Sequence, residues 1–273
     1  MASEPRRESP AFSTQVRQMF DHIAPQYDLL NKLNSLGLDR YWRHVLVQSV
    51  AGSRPRQILD VATGTGDVAI ALARACPEAQ VTGMDLSREM MAVGVRKVEA
   101  AGLADRIGFG VGDALDIDLP DEAVDAVTCA FGVRNFASLE QGYREFARVL
   151  RPGGIVAVLE LTEPESGLLH AGYQLYTRLY LRRMAQRYSE DPEAYDYLLH
   201  SIARVPAREQ MTALMEQAGL EQCGYRIFFP GVCGLYLARK LGTPGVTHLS
   251  STEVHQLIMK GWGTKHPLRV PAS

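Results

Sequence analysis

The sequence predicts an α/β protein built on a doubly wound, largely parallel sheet. From Arg56 onward, strand-like and helix-like segments alternate along the chain, which is typical of a parallel sheet covered by helices on both faces. The segment ILDVATGTGD at 58–67 places a glycine-containing turn between an apolar strand and a helix start, as at the first strand of such sheets. With 46% hydrophobic and 22% charged residues, the 273-residue chain can bury one large core.

The first strands and helices can be assigned in order. Five segments are predicted to form parallel strands, at 56–61, 80–85, 106–112, 124–130 and 154–161. A capping box at Ser138 and Gln141 begins the helix before the fifth strand, and the sequence RPGG at 151–154 is expected to end it. One face of this helix is apolar and carries Leu139, Tyr143, Phe146 and Leu150.

A further helix and an antiparallel pair of strands are predicted to complete the sheet. The helix covers 207–218 and ends at Gly219. Its apolar positions are Met211, Leu214, Met215 and Ala218. Two strand-like runs, 222–229 and 232–239, flank the sequence FPG, which favours a hairpin turn. The five parallel strands are therefore expected to be followed by an antiparallel pair.

The remaining segments define the domain boundaries. Residues 12–241 are predicted to form the main domain, preceded by a disordered N-terminus at 1–11 and followed by a C-terminal extension at 242–273. Two helical segments, 12–50 and 166–204, stand outside the alternation of strands and helices. Additions of this kind commonly supply lids, so we expect both to cover a site.

Cysteine, histidine and charge patterns exclude several classes of protein. The seven histidines show no pair at metal-ligand spacing, so no metal is expected. No C-x-x-C pairing occurs, which predicts reduced core thiols at Cys76, Cys129, Cys223 and Cys233. A net charge of -2 gives no reason to expect a nucleic-acid partner. The N-terminus lacks an apolar signal region, and no later run is long enough to cross a membrane, so a cytoplasmic protein is expected.

The glycine loop by itself is compatible with two kinds of ligand. Gly64, Gly66 and Ala69 satisfy a dinucleotide fingerprint, so the loop alone permits a nicotinamide-dependent oxidoreductase. Asp60 ends the strand and Asp67 begins the helix, however. Two carboxylates would disfavour a pyrophosphate at the helix start and favour a cation. S-adenosylmethionine fits, because it carries a sulfonium and an ammonium group but no phosphate.

Carboxylates end the next two predicted strands as well. Asp85 follows Gly64 by 21 positions, the spacing of a ribose-binding carboxylate. Asp113, with Ala114 beside it, follows the third strand. Because parallel strands end at one edge of the sheet, these groups predict a row of acceptors for ribose hydroxyls and an adenine amino group.

Three longer motifs are more specific. They are YDLLNKLNSLGLDRYWR at 27–43, FGVRNF at 131–136 and RVLRPGGIVAVLELTEP at 148–164. On these motifs, residues 12–240 resemble the class I S-adenosylmethionine-dependent methyltransferases, and within them the quinone-biosynthesis C-methyltransferases that act on demethylmenaquinone or 2-polyprenyl-6-methoxy-benzoquinol. The resemblance implies a Rossmann-like, seven-stranded sheet with one antiparallel strand. It also implies S-adenosylmethionine as cofactor and a prenylated quinol, or a related lipophilic aromatic compound, as substrate.

The resemblance also assigns roles to individual residues. It implies cofactor contacts at Thr65 between Gly64 and Gly66, at Asp85 for the ribose, and at Asp113 and Ala114 near the adenine. The sequence departs from the family pattern where Ala130 and Thr162 each replace Ser, and where Phe229 and Tyr236 replace Thr and His. These departures leave the identity of the methyl acceptor open.

The expected chemistry is methyl transfer to a ring carbon made nucleophilic by a neighbouring phenolate. Arg134 would stabilise that phenolate, with Asn135 as a hydrogen-bonding partner. Tyr27 and Asp28 would contact the acceptor or act as a base. Alternatively, Tyr27 and Trp42 pack the lid.

Several alternatives stay open at this stage. The chain could methylate another aromatic or lipid-like small molecule, or serve as a non-catalytic cofactor-binding subunit. A nucleic-acid methyltransferase is disfavoured, since CAFGVRN occupies the place of an N-P-P-Y-like element. The arginines of segment 178–187 alternate with apolar residues, which indicates either a solvated helix face or a peripheral contact with a membrane surface. A homodimer is compatible with the sequence.

Overall fold

A seven-stranded sheet organises the computed structural model, which describes residues 10–165, 167–181, 183, 192–206 and 208–241. The strands lie in the order β3-β2-β1-β4-β5-β7-β6. Their bounds are β1 Gln57–Val61, β2 Gln80–Asp85, β3 Ile107–Val111, β4 Val124–Ala130, β5 Leu150–Leu161, β6 Glu221–Phe228 and β7 Cys233–Arg239. All seven predicted strands are present, which confirms the doubly wound α/β fold.

The last strand runs against all the others. β1 to β5 pair in parallel, whereas β7 pairs antiparallel with both β5 and β6. β6 therefore points in the same direction as the first five strands and occupies the edge. The predicted hairpin between β6 and β7 and the single antiparallel strand are confirmed.

Helices flank the sheet at the positions that its crossovers require. Their bounds are α1 Pro10–Ile23, α2 Tyr27–Asn34, α3 Asp39–Ala51, α4 Asp67–Ala75, α5 Arg88–Ala100, α6 Leu139–Val149, α7 Gly167–Tyr176, α8 Pro192–Ala203 and α9 Arg208–Gln217. A π-helical turn, Thr177–Leu181, extends α7. Helix α1 already begins at Pro10, slightly before the predicted end of the N-terminal disordered segment. The rest of that segment and the predicted extension at 242–273 lie outside the described residues.

Two apolar cores lie on opposite faces of the sheet. One contains Trp42 and Leu46 of α3 together with the buried side of α4. The other contains Phe146 of α6 and Met211 of α9. The apolar faces predicted for α6 and α9 are buried, as expected from their period of about 3.6 residues.

The two ends of α6 differ in detail from the prediction. Ser138 caps the helix, since its Oγ accepts a hydrogen bond from the Gln141 amide at 3.2 Å. The reciprocal half of the capping box was predicted wrongly, because the Gln141 side chain donates instead to the Leu115 carbonyl. At the other end, Leu150 already pairs with Val124, so β5 begins before the RPGG turn and continues after it through an irregularity in the ladder.

Much of the predicted helical insertion 166–204 is helical where it is described, in α7, the π-helical turn and α8. Within the basic segment 178–187, the residues Arg182, Met184 and Arg187 lie outside the described residues. No helix in the described part of the chain is both long and apolar enough to span a bilayer.

Candidate active site

A cleft opens at the carboxyl edge of the sheet, above β1, β2 and β4. Its floor is formed by the glycine loop and the strand ends, and its roof by α1 and the start of α2. About 710 Å³ of empty space lies within the cleft, part of it open to solvent. The expected lid role of segment 12–50 agrees with this geometry, because Val16, Phe20 and Tyr27 all line the cleft.

Glycine is required in the loop and at the opposite cleft wall for steric reasons. Gly66 has φ of +78°, and a Cβ there would lie 2.8 Å from the Phe109 ring. A Cβ on Gly132, after β4, would lie 2.5 Å from the Cβ of Ala62. Side chains at these positions would separate the strand ends, so glycine keeps the floor of the cleft closed.

Three backbone amides of the loop, those of Thr63, Gly64 and Gly66, already donate hydrogen bonds within the protein. Gly64 donates to Oδ2 of Asp85 at 2.8 Å. Thr63 donates to the Met84 carbonyl, and Gly66 donates to the Thr63 carbonyl, both at 3.0 Å. A pyrophosphate cradle needs such amides free. The loop therefore suits a ligand without phosphate.

Asp85 and Asp113 face the cleft as predicted. Besides Gly64, Asp85 accepts a hydrogen bond from the Ser87 amide at 2.9 Å, and burial raises the pKa of its carboxyl. Asp113 accepts from the Leu115 amide at 2.9 Å, and Asp113 and Ala114 both line the cleft. The two carboxylates are held rigidly at neighbouring strand ends, where they can accept from ribose and adenine.

Asp60 points into the protein. Its two carboxylate oxygens accept hydrogen bonds from Thr63 Oγ1 at 2.7 Å and Thr128 Oγ1 at 2.6 Å. Burial raises its pKa to about 6. Asp60 lines a small recess beside the main cleft rather than the cleft itself. It can act on a ligand through its charge, while its hydrogen bonds brace β1 against β4.

Thr65 lies in the same recess and takes part in an ion network. Its hydroxyl donates to Asp28 at 2.6 Å, and Lys97 bonds both Asp28, at 2.8 Å, and Asp67. Arg43 also pairs with Asp67, at 2.8 Å. Asp67 therefore lies in a network in which Arg43 and Lys97 are shared with Asp39 and Asp28, so its charge at the helix start is partly offset.

Tyr27 covers the glycine loop. A Cβ on Gly64 would lie 3.8 Å from the Tyr27 ring, and the ring packs edge-on against Phe20 with 6.0 Å between centroids. Burial raises the pKa of the Tyr27 phenol, although Arg134 opposes this shift. The phenol stays protonated at neutral pH, so it can donate a hydrogen bond but is a poor base.

Arg134 and Asn135 lie after β4, on a single 3₁₀ turn. The buried Arg134 guanidinium pairs with Glu160 Oε1 at 2.9 Å. Burial by itself would lower the pKa of Arg134, but Glu160 together with Tyr27 and Tyr197 outweighs it and leaves this pKa raised. Asn135 lines the cleft, and its Oδ1 accepts a hydrogen bond from the Tyr197 hydroxyl at 3.0 Å.

Sequence reasoning missed two of these residues. Glu160 was read only as part of the apolar strand β5, although a carboxylate in such a strand is itself a signal of a buried partner. Tyr197 gave no signal, because the lid helix that carries it is brought to Asn135 only by tertiary packing.

The four departures from the family pattern lie outside the lining of the main cleft among the described residues. Phe229 is 84% exposed, whereas Tyr236 is fully buried in the core. Thr162 donates to the Gly231 carbonyl at 2.7 Å, and Ala130 lines the recess. Any effect of these four replacements on the main cleft must therefore pass through neighbouring residues.

The sheet order, the loop whose Gly64 amide is bound by Asp85, and the carboxylates at successive strand ends are typical of a class, the Rossmann-like S-adenosylmethionine-dependent methyltransferases. The chain belongs to the ubiE/COQ5 methyltransferase family, whose model matches residues 9–240. As a member, it is an enzyme that uses S-adenosyl-L-methionine as its methyl donor. The resemblance seen in the sequence motifs is thereby confirmed.

Individual relatives agree with this assignment. A demethylmenaquinone methyltransferase of Bacteroides fragilis is 41% identical over 228 residues, covering 84% of this chain and 93% of that protein. The ubiquinone/menaquinone biosynthesis C-methyltransferase UbiE of Syntrophotalea carbinolica is 42% identical over 220 residues, covering 81% and 92%. The apo structure of the S-adenosylmethionine-dependent methyltransferase SibL is similar, with a TM-score of 0.54, 18% identity and coverage of 76% and 56%. At that identity the likeness shows the fold alone.

Proposed function

We propose that the enzyme methylates a ring carbon of a prenylated quinol, demethylmenaquinol or the corresponding benzoquinol. The observation that carries the proposal is the position of Asn135, which lines the cleft and directly follows Arg134, whose buried guanidinium pairs with Glu160. A hydroquinone suits this arrangement, since the Arg134 guanidinium, paired with Glu160, can still stabilise a nearby phenolate, and an amide can orient the phenolate oxygen.

Bound S-adenosylmethionine would supply a methyl group made electrophilic by the sulfonium. The ring carbon beside the phenolate would take up this methyl group, and the electron pair of the broken carbon–sulfur bond would stay on sulfur. The ring proton then leaves to solvent and restores aromaticity. In this scheme Arg134 holds the phenolate charge, while Asn135 and the protonated Tyr27 donate hydrogen bonds to acceptor oxygens.

The cofactor would be held by the residues of the loop and strand ends. We assign Asp85 to the ribose hydroxyls and Asp113 with Ala114 to the adenine. Gly64, Thr65 and Gly66 would form the surface against the methionine portion. The raised pKa of Asp60 makes this group sensitive to a cation in the recess. Asp60 would therefore act on the sulfonium end through charge.

Methyl transfer from labelled S-adenosylmethionine to chemically reduced demethylmenaquinol, with the benzoquinol in parallel and product mass as readout, tests the proposal. We expect turnover on one of the two rings, which also identifies the acceptor. Cofactor binding without methylation of either quinol would overturn the proposal and favour another aromatic or lipid-like acceptor.

A prenylated acceptor resides in a lipid bilayer, and we propose that α7 contacts the membrane surface. Leu168, Leu175 and Leu179 are 88%, 59% and 49% exposed and share one helical face. Arg178 and Arg183 nearby are also exposed. An apolar stripe with adjacent cations is typical of helices that lie at a membrane interface.

The remaining proposals concern the organisation of the chain. We propose that residues 12–241 form one methyltransferase domain with lid elements at 12–50 and 166–204, between a short N-terminal segment and the C-terminal extension. Assembly as a homodimer is likewise a proposal, and sedimentation velocity would test it.

A further inference from the structure

Helix α8 contacts the wall of the active-site cleft through the side chain of Tyr197. The Tyr197 hydroxyl lies 3.0 Å from Oδ1 of Asn135, across 62 positions of sequence. Asn135 lines the cleft, whereas Tyr197 belongs to the segment that lies outside the alternation of strands and helices. The contact therefore joins an inserted element to the wall of the active site.

The contact with Tyr197 can fix the orientation of the Asn135 side-chain amide. An asparagine side chain has one accepting oxygen and one donating NH₂ group. When Oδ1 is occupied by the Tyr197 hydroxyl, rotation of the amide is opposed, and Nδ2 is left to donate. An acceptor oxygen of the quinol, above all a phenolate, requires a donor rather than an acceptor at this place.

We propose that Tyr197 is a positioning residue for methyl transfer, which holds the Asn135 amide with its NH₂ group available to the acceptor oxygen. The proposal rests on the proposed function, because it assigns the acceptor's oxygen to Asn135. It also makes assembly of the site depend on docking of α8, since the orienting hydroxyl arrives only with that helix.

Other lid tyrosines offer a matched control. The Tyr176 hydroxyl donates to the backbone carbonyl of Asn34 at 2.8 Å, and neither residue lines the cleft. Tyr176→Phe removes a hydrogen bond of similar length between the lid and the N-terminal helices. It should therefore reproduce a general loosening of the lid without changing the Asn135 amide.

The first experiment is a double-mutant cycle on kcat with Tyr197→Phe and Asn135→Asp. Aspartate preserves an acceptor for Tyr197 but cannot donate when ionised. We expect Tyr197→Phe to lower kcat about tenfold in the wild-type background, with S-adenosylmethionine affinity within about twofold, and to cost under about twofold in the Asn135→Asp background. Tyr176→Phe should change kcat by less than about twofold.

Equal losses from Tyr197→Phe in both backgrounds would overturn the proposal, because the two residues would then act independently. A loss no larger than that of Tyr176→Phe would do the same. Hydrogen exchange of α8 in the S-adenosylhomocysteine complex gives a second readout that needs no acceptor. Tyr197→Phe should speed exchange there, and unchanged exchange would count against the coupling. If the wild type methylates neither quinol, the proposed function fails while this second readout still reports on the contact.

Discussion

The Asp85 carboxylate accepts a hydrogen bond from the Gly64 amide at 2.8 Å. This contact ties the end of β2 to the glycine loop after β1, and it occupies an amide that a dinucleotide-binding loop would offer to phosphate. The same carboxylate stays at the cleft surface, where it can accept from hydroxyls. This one interaction thus removes an amide donor from the loop and holds a carboxylate at the cleft surface.

Replacement of Asp85 should act on cofactor binding. Asp85→Ala removes the acceptor for the ribose and for Gly64, so we expect no measurable affinity for S-adenosylmethionine by calorimetry. Asp85→Asn keeps one oxygen and should retain binding, weakened by roughly 10- to 100-fold, as for loss of a charge-assisted hydrogen bond. Unchanged affinity in Asp85→Ala would refute the assignment.

The elevated pKa of Asp60 predicts a pH dependence of cofactor affinity. Burial raises this pKa to about 6. A cation bound in the recess should lower the pKa of Asp60 again. At a pH below about 6, cofactor binding should therefore release a proton from this carboxyl. Affinity for S-adenosylmethionine should therefore rise with pH up to about 6 and level off above it, by at most about tenfold per pH unit. Calorimetry between pH 5 and pH 8, chosen as roughly one to two units around that pKa, would measure this.

The matched variant is Asp60→Asn, which keeps a polar group toward Thr63 and Thr128. Comparing the affinities of the wild type and the variant for S-adenosylmethionine at each pH cancels the contribution from titration of the cofactor itself. An identical pH profile in both proteins would mean that Asp60 only braces the strands.

Loss of the Glu160 charge should leave Arg134 as an unpaired buried cation. We expect Glu160→Gln to lower the free energy of unfolding by about 3 kcal/mol, since breaking a buried pair is costly. Urea denaturation would measure this. Glu165→Gln, which removes the exposed pair with Arg208, is the control and should cost under about 1 kcal/mol. Similar costs in the two variants would contradict the buried pair.

Arg134→Ala should reduce turnover far more than cofactor affinity, because the guanidinium is assigned to the acceptor's phenolate rather than to S-adenosylmethionine. Steady-state kinetics with the quinol, together with calorimetry for the cofactor, would separate the two effects. An equal loss in both would make Arg134 a structural residue.

The exposed face of α7 should determine binding to anionic vesicles. Changing Leu168, Leu175 and Leu179 together to Gln should weaken sedimentation with phosphatidylglycerol vesicles by at least about tenfold, because the buried apolar area is lost. Leu241→Gln is the control, since Leu241 is exposed and follows the carboxyl end of β7, which lies beside the start of β5 and therefore away from α7. Equal vesicle binding by all three proteins would refute the membrane contact.

The sequence by itself determined which segments are strands and where each strand ends. Apolar periodicity, the turns and the carboxylates after β1, β2 and β3 are local signals, because they depend on neighbours within a few residues. The same signals located the glycine loop, Asp85 and Asp113, whereas the FGVRNF motif was identified through the resemblance to a known family. The helix cap at Ser138 was also local and was predicted correctly.

Tertiary structure alone decided how these parts face one another. The position of β7 between β5 and β6 depends on packing rather than on local pattern. So do the contact of Arg134 with Glu160, across 26 positions, and that of Asn135 with Tyr197, across 62. Asp60 ends its strand as predicted, yet its carboxylate faces Thr63 and Thr128. Local sequence sets where a side chain leaves the backbone, but its partner is set by whichever element folds against it.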